Sequence, residues 1–179
     1  MNCWKTINLS RDLGDRRIAI FSFLVALASF IIMYLSLSII NDSIPLNDDR
    51  IFLFIISLFI VTPLHNVSYA IPAWLTFKKA KIQIIRNPYV VLYFTIKYID
   101  SIPKSLKILS ILAPTFFITI PLIICALIYP SYMHYFTMTT AVNIGLSVVD
   151  FIYLTVLIRA PKKCYIDHYN QSFDILIKG

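Results

Sequence analysis

The sequence predicts an all-α polytopic membrane protein: four transmembrane helices, a short interfacial β-hairpin on the cytoplasmic side and a short C-terminal hairpin. Two observations predict it. Apolar stretches at 18–40, 51–77, 108–129 and 137–158 each reach the run of about 20 residues that crosses a ~30 Å hydrocarbon core. The connecting segments alternate in charge. Lys5, Arg11, Arg16 and Arg17 precede the first stretch, and the 41–50 loop holds Arg50 beside Asp42, Asp48 and Asp49. Lys78, Lys79, Lys81, Arg86, Lys97, Lys104 and Lys107 follow the second, 130–136 has no Lys or Arg, and Arg159, Lys162, Lys163 and Lys178 end the chain. That alternation places both termini on the cytoplasmic side of a membrane crossed four times.

Composition agrees. Of 179 residues, 59% are hydrophobic, and the mean hydropathy is +0.78, so residues 1–179 read as a single membrane domain. The net charge of +7 is spread as a topology signal with some pull on anionic lipid. No recognition motif accompanies it, so the partner it predicts is the bilayer, with no nucleic acid. Cys3, Cys125 and Cys164 form no C-x-x-C pair and read as free thiols.

Taken in order, residues 1–17 read as an amphipathic lead-in, with Ser10 capping a turn that begins at Arg11. Residues 18–40, free of Gly and Pro and not followed by an A-x-A site, read as a retained anchor helix. The second stretch would be about 40 Å long as one straight helix, so Pro63 and Pro72 are expected to bend or end it. Trp74 suits the interface. Residues 80–107 are too polar to span. Their β-branched and aromatic runs flank Arg86-Asn87-Pro88 and predict a hairpin, with an amphipathic helix as the alternative. Pro114 and Pro121 should kink the third span. The tail reads as a hairpin turning near Tyr169 to Gln171. Ala141 and Gly145 mark close helix packing on the fourth span.

Polar groups inside spans are costly and face the bundle interior. His65, Ser68 and Tyr69 stand at i, i+3, i+4 on the second span, one helix face; Asn143, Ser147 and Asp150 stand at i, i+4, i+7 on the fourth. The two stripes predict one buried polar site containing His65 and Asp150. An interhelical clamp with no chemistry is the equally weighted alternative, since such hydrogen bonds average under about 1 kcal/mol. A small transporter or proton relay using His65 and Asp150 is a further alternative, although no inverted repeat accompanies it.

Three segments carry a resemblance: LHNVSYA on the second span, PKSLKILSILAP leading into the third, and NIGLSVVDFIYLTVLIRAP on the fourth. Together they resemble the zincin-peptidase family of small bacterial integral membrane proteins, similar in layout to site-2 intramembrane proteases. The resemblance covers about residues 50–178. It implies a H-E-x-x-H helix, in which two His at i and i+4 bind zinc and the Glu is general base, with a distant acidic third ligand. Here His65 matches the first His, Asn66 the Glu, Tyr69 the second His and Asp150 the third ligand. All nine acidic residues are aspartates, and His134 and His168 match no part of the motif. An amide cannot take a proton from water, and losing the base alone costs ~10²–10⁴-fold in rate. The resemblance therefore implies a degenerate member, a pseudoenzyme with His65 and Asp150 as vestigial zinc ligands. It would keep the scaffold to bind or regulate a membrane-protein partner. An active intramembrane metalloprotease with non-standard ligands is the alternative.

Overall fold

The computed structural model describes residues 2–7, 9–76, 80–87, 90–98, 101–161, 164–169 and 172–177. Lys78, Lys79, Pro88, Lys162, Lys163, Gln171 and Lys178, all used in the sequence reading, lie outside them.

Three long apolar helices are present, over Asp15–Ile40, Ile51–Leu75 and Lys104–Ile128, and a pair bent by 44° runs over Pro130–Leu146 and Val148–Arg159. Each length of apolar helix suffices for a bilayer core. The first span, α2 (Asp15–Ile40), leaves large side chains such as Ile20, Phe23, Ile32 and Ile39 exposed. A soluble protein would bury that face; here it is the surface of a membrane protein. Arg16 and Arg17 lie in its first turn, just after Gly14, which adopts φ 80.

Both proline-bearing spans are broken locally. In the second, α3 (Ile51–Ser68) stops at Ser68, and α4 (Ile71–Leu75) restarts with Pro72 near its N-terminus. Pro63 stays inside α3. In the third, α5 (Lys104–Pro114) passes into a π-helical turn (Thr115–Thr119) and then α6 (Ile120–Ile128), with Pro121 near its start. A proline leaves one carbonyl in the preceding turn without its helical donor, and wider π turns absorb such mismatches.

The fourth span corrects an expectation of one continuous helix. It is α7 (Met133–Leu146) and α8 (Val148–Arg159), bent at Ser147. One local cause is visible: Ser147 Oγ donates to the Asn143 carbonyl at 2.9 Å, a back-bond that bends helices. Gly145, just before the bend, lies close against the first span: a Cβ there would lie 2.8 Å from Ala26 Cβ and 3.0 Å from the Ser22 carbonyl.

More β structure is present than the sequence predicts. The hairpin is β2 (Ala80–Asn87) against β3 (Val90–Tyr98), antiparallel, with Ile82 opposite Ile96. The tail hairpin is β5 (Cys164–Tyr169) and β6 (Ser172–Ile177). Two further strands extend it into a four-stranded sheet of order β1-β6-β5-β4. One is β4 (Ile102–Pro103), antiparallel to β5. The other is β1 (Asn2–Ile7), antiparallel to β6. The amphipathic lead-in is thus a strand followed by the five-residue helix α1 (Leu9–Leu13). Its β pattern is short and depends on a partner about 170 residues away, which local periodicity does not reveal.

The main core lies where this sheet meets the helix ends. Ile7, Ile102, Cys164, Ile166 and Ile175 pack with Ala73, Leu106, Ile111, Leu157 and Ala160. Lys104 Nζ donates to the carbonyls of Ile158 (3.1 Å) and Ala160 (2.6 Å), satisfying the C-terminal end of α8.

Candidate functional site

His65 sits in the last turn of α3 and is 3% exposed. Asp150, in the first turn of α8, is 7% exposed, and Asn143, near the end of α7, is fully buried. Each ring nitrogen of His65 has a partner. Nδ1 lies 2.8 Å from Asn143 Oδ1, and Nε2 lies 2.7 Å from the Tyr69 hydroxyl. Tyr69 donates to Asp150 Oδ2 at 2.6 Å. His65 Nε2 and Asp150 Oδ2 are themselves 3.3 Å apart. The phenol oxygen therefore bridges imidazole and carboxylate.

Asn143 fixes one end of this arrangement. Its Nδ2 donates to Thr119 Oγ1 at 2.9 Å and faces the Pro114 carbonyl at 3.5 Å. Its Oδ1 is then the atom facing His65, and an amide oxygen only accepts, so Nδ1 carries a proton. The π turn and Pro114 are thus coupled to the site, because Asn143 reaches the broken stretch of the third span. Ser68 and Ser147 contribute differently. Each donates to the backbone carbonyl of its own helix, Ser68 to His65 at 2.6 Å and Ser147 to Asn143 at 2.9 Å. Both are buried but turned away from the bridge. Asn66 is half-buried.

The remaining edge of the site is cationic. Lys107 on α5 is half-buried and lies within electrostatic reach of Asp150. The Tyr69 hydroxyl has one proton, so it donates along one of its two hydrogen bonds and accepts along the other.

His134 and His168 stand apart. His134 opens α7, 3.2 Å from Asp48, and His168 belongs to β5. Thr119 and Lys107 escaped the sequence reading. Thr119 lies between two prolines of one span, where a hydroxyl has orphaned helical carbonyls nearby, and that was a usable signal. Lys107 stands at a span boundary, where a lysine reads as topology.

The residues at the zincin ligand positions do not fit catalytic zinc. At Zn–N and Zn–O lengths of about 2.0–2.2 Å, tetrahedral ligands lie about 3.3 Å from one another. His65 Nε2 and Asp150 Oδ2, 3.3 Å apart, match that spacing, but the Tyr69 oxygen lies 2.7 and 2.6 Å from the two, as a hydrogen-bonded phenol does and a third zinc ligand would not. Among the described residues no group of three or more His, Cys, Asp or Glu is placed to share a metal.

A mostly helical protein with several apolar helices long enough to cross a membrane and a buried His–Tyr–Asp bridge is what the fold and the site define. The chain belongs to the family described as "Putative zincin peptidase", whose profile matches residues 58–165, well over half of the sequence and all of the bridge. No curated protein and no solved structure matches the chain.

Proposed function

We propose that this protein is a catalytically inactive zincin relative that keeps the membrane scaffold to bind or regulate a membrane-protein partner. The bridge carries the reading: the Tyr69 hydroxyl joins His65 and Asp150 by hydrogen bonds of 2.7 and 2.6 Å. In the zincin arrangement those positions hold zinc and the adjacent Glu removes a proton from its water. Asn66 has no basic electron pair for that step. The proton chain is also closed at one end, because Nδ1–H ends on the Asn143 amide, which does not pass protons on. That favours a clamp between the second and fourth spans over a proton relay across the membrane. The clamp fixes the relative position of α3 and α8, and so the outer faces a partner would meet. In the orientation we propose, the sheet containing both terminal strands faces the cytoplasm of a bacterial cell, as the Lys and Arg distribution favours.

Metal content tests this reading. The wild type purified in mild detergent should contain no stoichiometric zinc. The double variant Asn66→Glu/Tyr69→His, which rebuilds H-E-x-x-H on the same helix face, should gain about one zinc per chain. Zinc in the wild type that disappears in both His65→Ala and Asp150→Ala would overturn the reading in favour of an enzyme with unconventional ligands.

A further inference from the structure

A cleft of about 270 Å³ opens on the outer surface between the first and fourth spans, away from the His–Tyr–Asp bridge. Phe21 and Val25 of α2 line one wall, and Val148, Phe151, Ile152 and Thr155 of α8 line the other. Both walls continue into a cation. Arg17, Phe21 and Val25 follow one another at i, i+4, i+8, a single stripe of α2. Phe151, Thr155 and Arg159 do the same on α8. The two helices are in contact, with Ile18 of one and Ile152 and Val156 of the other packed on the same core cluster, and they run in opposite directions. Arg17 lies one turn before Phe21 and Arg159 one turn after Thr155, each about 6 Å along its axis. The two arginines therefore flank the same end of the cleft. Both are exposed, with Arg16 beside them, and none of the three joins an ion pair among the described residues.

We propose that this cleft seats one acyl chain of an anionic phospholipid whose phosphate is held between Arg17 and Arg159. The lining is apolar apart from Thr155, whose hydroxyl is turned to its own helix, donating to the Ile152 carbonyl at 2.7 Å. It therefore offers nothing polar to a ligand within the bilayer and suits a hydrocarbon chain. Guanidinium groups recognise phosphate by paired hydrogen bonds as well as charge, and long arginine side chains reach from a helix end to the head-group level. The exposed arginines at one end favour an anionic head group over an uncharged apolar helix as the occupant. The bound lipid would join the first span to the bent fourth one, at a contact the bridge does not reach.

The test uses the full chain in neutral detergent and counts bound lipid by native mass spectrometry after titration with phosphatidylglycerol or phosphatidylcholine of the same chains. The wild type should retain phosphatidylglycerol several-fold better than phosphatidylcholine. Arg17→Gln/Arg159→Gln should abolish the preference. Val25→Trp and Thr155→Trp, which fill the cleft from opposite walls, should each reduce phosphatidylglycerol retention while leaving the arginines in place. Far-ultraviolet circular dichroism confirms that each variant is folded, and the exposed arginine pair serves if a tryptophan variant is not. Equal retention of the two lipids overturns the proposal. So does a preference that needs the arginines but survives both tryptophans, which would mean surface attraction of head groups and leave the cleft to a protein segment.

Discussion

At the scale of single residues, the site's energetics depend on what each deletion leaves behind. Tyr69→Phe removes the bridging oxygen, yet His65 Nε2 and Asp150 Oδ2 already lie 3.3 Å apart and close directly. The expected cost is about 1 kcal/mol, within the range for hydrogen bonds between membrane helices. His65→Ala instead strands a buried carboxylate, and breaking a buried pair costs roughly 3–5 kcal/mol, softened here by Lys107. Unfolding in mixed detergent micelles should therefore rank His65→Ala well below Tyr69→Phe in stability; equal losses would mean that the phenol is more than a bridge. Cys164 provides a separate probe. It is 3% exposed, and burial pushes its thiol up from the ordinary value of 9.0, with Lys104 partly opposing. The folded state then holds the proton more tightly than the unfolded chain. Its stabilising contribution is full below 9.0 and is lost as pH rises toward the higher folded value. In a Cys125→Ser background, maleimide should label exposed Cys3 quickly at neutral pH and Cys164 only after denaturation. Rapid labelling of Cys164 in the folded protein would contradict its place in the core. Much of the residue-level site was legible, because His65, Tyr69, Asn143 and Asp150 announce themselves as polar groups in apolar runs. Lys107 was not, because a boundary lysine has a ready topological explanation, and Thr119 was passed over although it stands between Pro114 and Pro121 in one span.

Among the elements, the fourth span shows how a sequence pattern holds while its geometry changes. Asn143, Ser147 and Asp150 fall on one face of a continuous helix. They are all buried in the structure too, although α7 and α8 meet at 44°. Gly145 is the pivot of that packing. Adding a methyl group places it 2.8 Å from Ala26 Cβ, closer than carbon atoms tolerate. Gly145→Ala should cost about 1–3 kcal/mol, the usual range for overpacking, and Ala26→Gly should restore part of it, since the Ser22 carbonyl stays 3.0 Å from the added methyl. A double-mutant cycle in detergent unfolding measures the coupling; strict additivity would place the damage elsewhere. Asn143→Ala tests the neighbouring joint. It leaves His65 Nδ1–H buried without its acceptor, for about 1–3 kcal/mol, and should also free the π turn that Thr119 anchors, seen as faster hydrogen exchange over 115–119. The long helices and the hairpin were readable from hydropathy and β-branched runs. Strand β1 was not, since the pairing that makes Asn2–Ile7 a strand is supplied by Phe173–Ile177.

For the molecule as a whole, that same pairing constrains topology more tightly than hydropathy does. β1 precedes the first span and β6 follows the last, and the two lie side by side in one sheet. A chain whose ends share a sheet has left the bilayer on the side where it entered, so it crosses an even number of times. Three long helices are odd. On that ground the bent α7–α8 pair is expected to complete a fourth crossing and not to turn back as a re-entrant loop. The loops at the opposite end agree, since Asn47 N–H donates to the Ser131 carbonyl at 2.9 Å, joining the loop after the first helix to the start of the bent pair. Labelling intact cells with a membrane-impermeant maleimide checks this directly. With the native cysteines removed, Asp48→Cys should react from outside, and a cysteine restored at position 3 or 164 should react only after the cells are opened. If positions 3 and 48 label alike in intact cells, the first helix does not cross. If position 164 labels from outside while position 3 does not, the number of crossings is odd, and the sheet that unites the two ends cannot exist in the membrane-embedded protein.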